Sequence, residues 1–340
     1  MGYKTEFLIL TTEIASDKII ILMTPDSNQL EEVVISLDSG GEIMKMNKNV
    51  SQISLSPKKL ATIPNLGEKD IFRALQLLPG VSGTNESSSG LYIRGGTPDQ
   101  NLVLLDGFTV YHVDHFYGFF SAFNSDVIKD IQLFKGGFPA EYGGRISSVM
   151  DLTGKTGNSN NFSLSAGLSL LSANATVEIP VGKKANLLIS GRRSYTDILK
   201  SGLYNSIFDL YNDSGPTSDS NLPLQARVLQ NQLQPSFYFY DLNAKFSYKP
   251  TDKDIISVSL YNGEDNLDSS RENQNIIDSG TDQERTINAD IEDLLNWGNL
   301  GSSVRWARQW SDKFYTNVVG AYSNYFSQRK RINDITVQLA

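Results

Sequence analysis

The second half of the chain alternates. Phe162, Leu164, Ala166, Leu168 and Leu170 share one face of an extended segment, and Ser163, Ser165, Gly167 and Ser169 take the other. Ala173, Ala175, Val177 and Ile179 against Asn174, Thr176 and Glu178 repeat the period, as do Leu187 and Ile189 against Asn186, Ser190 and Arg192. The clearest run sets Tyr238, Tyr240, Leu242, Ala244, Phe246 and Tyr248 against Asp241, Asn243, Lys245, Ser247 and Lys249. A period of two is that of a strand with unlike faces. Weaker versions cover Lys253 to Tyr261, Leu300 to Trp310 and Phe314 to Phe326. Strands of about ten residues exceed the 5–6 typical of soluble domains and suit a tilted crossing of a bilayer. Short links at Gly182-Lys183-Lys184 and Pro250-Thr251-Asp252 contrast with long polar stretches from Ser194 to Gln234 and Glu264 to Leu294. Short turns at one end, long loops at the other and tyrosines near both strand ends describe a transmembrane barrel wall. A soluble β-sandwich also alternates, and the period alone leaves both open.

The first half has another texture. Phe7 to Thr11 and Lys18 to Met23 read as two short strands, closed by the turn residues Pro25-Asp26-Ser27-Asn28. Two strands make no core by themselves, so residues 1–30 are expected to be the tail of an upstream β domain. Residues 31–55 read as a linker holding one β-branched run. From Ser56 to about 155 helices and strands mix: Pro57 suits a first helical turn, and Gly67-Glu68-Lys69-Asp70 opens a helix through Ile71, Ala74, Leu75 and Leu78, ended by Pro79-Gly80. Strands are expected at Leu91 to Arg94 and Asn101 to Leu105, each closed by a turn at Gly95-Gly96 or Asp106-Gly107, and a helix then a strand across Ser125 to Phe134. The segment is a compact α+β domain. Residues 160–340 supply the alternating strands.

Composition narrows the function. The 340 residues are 39% hydrophobic with a mean hydropathy of -0.27, and no apolar run approaches the roughly 20 residues of a membrane helix. Barrel strands escape that test because half their residues face the lumen. A net charge of -8 offers no basic stripe for nucleic acid, and the absence of Cys removes thiol chemistry and cysteine metal sites. Gly154-Lys155-Thr156 imitates the end of a P-loop, but Val149 stands where its first Gly belongs. Neither a Gly-x-Ser-x-Gly elbow nor a His-Glu-x-x-His pair occurs. Glu264, Asp265, Asn266 and Asp268 lack the EF-hand pattern and read as a solvated outer loop. No catalytic residue, cofactor or metal site is expected.

Four motifs in order carry a resemblance. Asp70-Ile71-Phe72-Arg73-Ala74-Leu75-Gln76-Leu77-Leu78-Pro79-Gly80-Val81 is followed by Tyr92-Ile93-Arg94-Gly95-Gly96, by Asn101-Leu102-Val103-Leu104-Leu105-Asp106-Gly107, and by Lys135-Gly136-Gly137-Phe138-Pro139-Ala140-Glu141-Tyr142-Gly143-Gly144-Arg145. Together, over about Leu60 to Thr153, they resemble the plug domain of TonB-dependent outer-membrane receptors. The wording is similar to the Bacteroidota type, which carries a carboxypeptidase-regulatory-like domain ahead of the plug. The resemblance implies an α+β plug followed by part of an antiparallel transmembrane β-barrel, membrane all-β overall, in the bacterial outer membrane. It implies a ligand, whether small molecule, glycan or peptide, imported with energy from TonB and its inner-membrane complex. Outer-membrane lipid and a surface lipoprotein are further implied partners. Arg94 and Arg145 match plug arginines that pair with barrel carboxylates in the family, with local hydrogen bonding as the other reading.

Glu31-Glu32-Val33-Val34-Ile35 resembles the TonB box, an extended segment that pairs edge to edge with TonB; Glu32, Val33, Val34 and Ile35 are its candidate residues, and the run fits an upstream-domain strand equally. Tyr111, His112, Asp114 and His115 fall, by resemblance, on a plug loop facing the exterior and are candidate ligand contacts; packing against the wall is the alternative. About 180 residues after the plug provide seven or eight strands, where a plugged barrel has about 22. With no signal peptide and no terminal aromatic residue, the chain is expected to be a fragment. The rival function is a surface or secreted adhesion module, whose strands would carry polar residues where Tyr238, Tyr240, Leu242, Phe246 and Tyr248 stand.

Overall fold

A computed structural model of the chain describes Gly2–Tyr3, Pro25–Asp26, Met44–Met46 and residues 51–57, 69–83, 90–116, 118, 120–206, 235–277 and 285–339. Gly2–Tyr3 (β1) pairs antiparallel with Pro25–Asp26 (β2). Pro25-Asp26 was expected in a turn; an isolated pair has free edges, where proline is tolerated. The expected strands at 7–11 and 18–23 and the candidate box at Glu32–Ile35 lie outside the described residues.

The α+β domain is built on a six-stranded sheet. It contains Met44–Met46 (β3), Gln52–Leu55 (β4), Asn101–Leu105 (β7), Phe108–Thr109 (β8), Ile128–Lys135 (β11) and Ser148–Gly154 (β12), in the order β3-β4-β11-β12-β7-β8. The β7–β12 pair is parallel and the others antiparallel. Ile131, Leu133, Val149 and Leu152 are wholly buried, as central strands require. Ile71–Gln76 (α1) is a shorter helix than the sequence suggested. Asp70 caps it, its Oδ1 accepting the N–H groups of Phe72 at 2.7 Å and Arg73 at 3.2 Å. Burial raises the Asp70 carboxyl above its ordinary range despite these bonds. Val81–Gly83 (β5) and Leu91–Ile93 (β6) form a separate hairpin. The turn between β7 and β8 puts Asp106 at φ +49° and Gly107 at φ +93°, the left-handed pair that a two-residue hairpin demands.

The helix expected after Ser125 is absent. Asn124 Oδ1 accepts the Asp126 N–H at 2.9 Å and its carbonyl accepts that of Val127 at 3.1 Å, so the chain turns once and enters β11 directly.

Beyond the plug the strands are Ser163–Leu168 (β13), Ser172–Val181 (β14), Ala185–Ser194 (β15), Ser236–Tyr248 (β16), Asp254–Asp268 (β17), Arg271–Ile277 (β18), Arg285–Ser311 (β19) and Phe314–Leu339 (β20). They form one antiparallel sheet in which each strand pairs with the next, save that β19 pairs with β18 along its first part and β17 along its second. The sheet is open, with β13 and β20 at its edges. The polar stretch from Glu264 to Leu294, expected as a loop, is largely strand. Its one alternation, Ile287, Ala289 and Ile291 against Asn288, Asp290 and Glu292, is short and set among polar residues, and ladder hydrogen bonds to β19 and β20 hold the strands. The short turns at 182–184 and 251–253 are as expected.

Pairing aligns the apolar positions into rows. Leu164, Val177, Ile189, Ala244, Leu260, Ser302 and Tyr322 are successive cross-strand partners. So are Leu187, Phe246, Val258 and Val304, and below them Tyr248, Ile256, Trp306 and Val318. Leu242, Leu260 and Val304 are more than half exposed, Leu168 80% exposed. A face this apolar and this open is of the kind that meets lipid or another protein. Tyr238 and Tyr248 bound it on β16. Their separation is roughly 33 Å along a strand, which at a tilt near 40° gives about 25 Å, the height of a barrel's apolar band. The other face carries the plug.

Candidate functional site

The plug meets the wall through side chains that alternation had placed on the polar face. Strand β16 turns Phe237, Phe239, Asp241 and Lys245 inward, β17 turns Ser259, Tyr261 and Asp265, and β15 turns Ser190 and Arg192. Two polar clusters result.

The lower cluster closes on the Asp106 turn. Lys245 Nζ donates to Asp106 Oδ1 at 2.7 Å and to the Gly154 carbonyl at 2.9 Å, Ser259 Oγ donates to Asp106 Oδ2 at 2.8 Å, and Ser303 Oγ to the Asp106 carbonyl at 2.8 Å. Gly154 N–H completes the carboxylate's shell at 3.1 Å. One ion pair, buried and satisfied on both sides, thus joins the hairpin to three strands of wall.

The upper cluster surrounds Asp114–His115 (β9) and Phe120–Ser121 (β10), which pair antiparallel. His115 is 2% exposed. Its Nδ1 lies 2.7 Å from Asp265 Oδ2 and its Nε2 2.8 Å from Asp241 Oδ1, and its ring stacks on Phe239 with centroids 4.2 Å apart. With both carboxylates ionised, both ring nitrogens donate, as only imidazolium does, although burial by itself raises the Asp265 carboxyl above its ordinary range. Burial opposes the charge, but the two carboxylates outweigh it and raise the His115 pKa to about 10. Arg192 donates through Nε to Asp241 Oδ2 at 2.7 Å and through Nη2 to the Ser121 carbonyl at 2.7 Å, with Phe239 beneath it. Tyr261 Oη shares its hydrogen between the Ala122 carbonyl and Asp241. Two cations thus balance two carboxylates.

Between the clusters Asn299 clamps the backbone. Its Oδ1 accepts the N–H groups of Tyr111 and His112 at 3.1 Å each, and its Nδ2 donates to the His112 carbonyl at 2.7 Å. Thr109 N–H donates to Ser323 Oγ at 2.8 Å. Phe116 follows at φ +50°, a conformation costly for a bulky residue, held by its N–H bond to Asp265 Oδ1 at 3.2 Å and by packing on Phe237 and Tyr204.

The candidate ligand contacts therefore separate. His115 is walled in and holds the plug to the wall, the packing alternative to ligand contact: its imidazole is buried between two carboxylates. Asp265, expected in a solvated loop, is its buried partner. Tyr111 is 52% exposed, and His112 lies 3.3 Å from Asp114 and packs on Trp297 and Tyr325. Tyr111, His112, Asp114 and Arg145 line a cleft of about 280 Å³ with Asp99 and Asn101.

Arg94 sits at φ +49°, exposed, its side chain over Gly136; Arg145 is exposed and donates to the Gly144 carbonyl at 3.2 Å. Among the described residues neither meets a carboxylate. Among the described residues the ion pairs from plug to wall are made by Asp106, which lies in the third motif without having been singled out, and by His115, which lies outside the motifs. A signal existed for Asp241 and Lys245: two opposite charges on the inward face of one strand require partners inside. None existed for Asp265, whose strand was hidden.

Residues 48–149 match the family model described as the TonB-dependent Receptor Plug Domain. No curated protein matches the chain. Among solved structures, it is similar to the siderophore receptor PirA from Acinetobacter baumannii, at 13% identity and a TM-score of 0.44 over 84% of this chain and 45% of that one. The ferric preacinetobactin receptor BauA from Acinetobacter baumannii is similar at 11% identity and a TM-score of 0.44, over 85% and 49%. The copper transporter OprC is similar at 11% identity and a TM-score of 0.45, over 84% and 48%. The chain spans about half the length of these structures. Residues 48–149 thus match a TonB-dependent receptor plug domain, and they pack against an open antiparallel wall.

Proposed function

We propose that the chain is the plug and adjoining wall of a transport receptor that binds a ligand outside the cell and passes it to the periplasm with energy delivered through TonB. The observation that carries this reading is the division of the sheet's two faces. One is an apolar band of membrane height bounded by Tyr238 and Tyr248; the other holds the plug by buried ion pairs. A plug fixed this firmly blocks passage, so import requires work from outside the fold. Tyr240, Leu242, Phe246 and Tyr248 crowd the outward face, where an adhesion module would carry polar groups. In this reading Tyr111, His112 and Asp114 contact the ligand from the cleft beside Arg145, and Arg94 and Arg145 meet carboxylates of further wall. Residues 1–30 are the tail of a carboxypeptidase-regulatory-like domain of the Bacteroidota type, followed by a linker at 31–55.

Glu32-Val33-Val34-Ile35 serves as the TonB box. Strand addition works through main-chain hydrogen bonds, so proline within the run removes a donor and side-chain changes matter little. Immobilised periplasmic domain of TonB is expected to retain the full chain from detergent extract, to lose the Val34→Pro variant and to keep Val34→Thr. Equal retention of all three would show that this run is not the grip.

A further inference from the structure

The cleft beside His112 joins apolar and acidic groups in one space of about 280 Å³. Val103 and Val110 are buried and Pro98 and Val113 half-buried, whereas Asp99 is exposed, so the apolar lining lies deeper than the charge. Tyr111, 52% exposed, adds an aromatic ring. The volume falls just short of the roughly 300–1,000 Å³ that holds a whole small ligand, and it suits a single side chain. His112 packs on Trp297 and Tyr325, the strand partners of Asp265 and Asn299, at the Tyr238 end of the wall where the long connection between β15 and β16 lies. A ligand outside the cell would reach it from that end.

The acidic groups of the cleft are unspent and open to solvent. Among the described residues the Asp99 side chain meets no cation. That of Asp114, 18% exposed, meets only His112, which is 3.3 Å away and a cation only when protonated. Arg145 also lines the cleft; it is exposed, bonds the Gly144 carbonyl and, in the receptor reading, pairs with carboxylates of further wall. With that guanidinium engaged, the two aspartates set the charge of the cleft. The chain's net charge of -8 favours approach of a cation as well.

A cation on an apolar stem fits all three features. Its methylenes cover the deeper valines while its head stays at the wet, acidic rim, the division that lysine and arginine side chains make on protein surfaces. The face of Tyr111 favours the same charge. An anion would be repelled by both aspartates, and a neutral sugar would gain nothing from them. We propose that the cleft takes an alkyl cation, an ammonium or guanidinium on an apolar stem, presented by a lysine or arginine side chain of a peptide or by a free diamine.

The proposal rests on this cleft being the ligand site of the receptor, and the two can fail separately. Binding to the full chain in detergent is read by the anisotropy of dye-labelled glycyl-lysyl-glycine amide, acetylated at its amino end. Competitors are the unlabelled peptide, its norleucine and glutamate counterparts, and cadaverine; norleucine keeps the lysine stem without the charge. The lysyl peptide should compete at concentrations roughly tenfold below the norleucyl one, as for a charged hydrogen bond. Whichever of the lysyl peptide and cadaverine competes better identifies the source. Asp114→Asn should weaken the labelled peptide roughly tenfold and Asp99→Asn in the same direction. Asp252→Asn, which removes an equal charge in the turn at the opposite end of the wall, should not. No binding, equal competition by the norleucyl or glutamyl peptide, or full affinity in both cleft variants overturns the proposal. If Asp114→Asn lowers the urea midpoint of Trp297 fluorescence, Asp99→Asn decides. Lysyl binding by a chain that immobilised TonB does not retain would uphold the cleft and overturn the receptor reading; retention by TonB without lysyl binding overturns the cleft alone.

Discussion

At the scale of single residues the interface is governed by what happens to a charge that loses its partner. His115→Leu would strand Asp265 with only the Phe116 N–H and leave Asp241 to Arg192 and Tyr261. Breaking a buried pair from one side costs about 3–5 kcal/mol. Trp297, beside His112 at 5.9 Å, reports the event. In a background where Trp306 and Trp310 are phenylalanine, its fluorescence change in urea should move to lower denaturant in the variant. An unmoved midpoint would mean that the wall holds the plug without this cluster. Protonation provides a second probe. The folded pKa of His115 is raised from 6.5 to about 10, so its contribution is whole below about 6.5 and is lost as the pH rises through about 10. Docking should weaken across that window, and His115→Leu should flatten the response. Gly301 is a steric counterpart: a Cβ there would overlap the Phe108 ring, which is wholly buried. Gly301→Val should therefore destabilise docking by about 1–3 kcal/mol, read by the same Trp297 signal.

At the scale of elements the wall depends on keeping its two faces distinct. A register slip of one residue on β16 would turn Asp241 and Lys245 to lipid and Leu242 and Phe246 to the plug. Leu242 lies near the middle of the apolar band, 53% exposed. Leu242→Arg should cost about 2–4 kcal/mol in a bilayer and far less for Lys249, beyond the band, changed to Arg. Insertion yield into vesicles measures the difference; equal yields would mean that this face is not in lipid. The same contrast explains what the sequence made legible. Strands β13 to β16 were readable because apolar and polar residues alternate sharply. The first part of β19 and the last part of β20 were not, since Ile287, Ala289 and Ile291 alternate only briefly among polar residues and Arg331, Asn333 and Asp334 put polar groups on both faces of β20. The plug was legible through its glycine and proline punctuation. His115 was visible as a candidate, but its role was not, because its partners lie 126 and 150 residues away on strands whose spatial neighbours no local pattern encodes.

At the scale of the whole molecule the wall has two edges. Strand β20 pairs with β19 alone, and β13 with β14 alone, among the described residues. A row of unpaired N–H and C=O groups along a strand as long as β20 cannot be satisfied by lipid, and in water it is a template for another strand. The apolar residues Val318 and Tyr322 flank that edge, both more than half exposed, so association would bury side chains as well as backbone groups. The 340-residue chain should therefore self-associate in mild detergent unless further strands cover β20. Light scattering would show oligomers that grow with protein concentration. Cysteines at Val318 and at Leu164, on the two edges, should cross-link between chains faster than a control pair at Leu242 and Leu300 in the middle of the sheet. Replacing Val318 and Tyr322 by lysine would charge that edge and should lower the oligomer fraction while leaving the Trp297 docking signal in place. A monodisperse monomer with unreactive edge cysteines would mean that the edges are already satisfied within the chain, and that the sheet closes on itself rather than standing open.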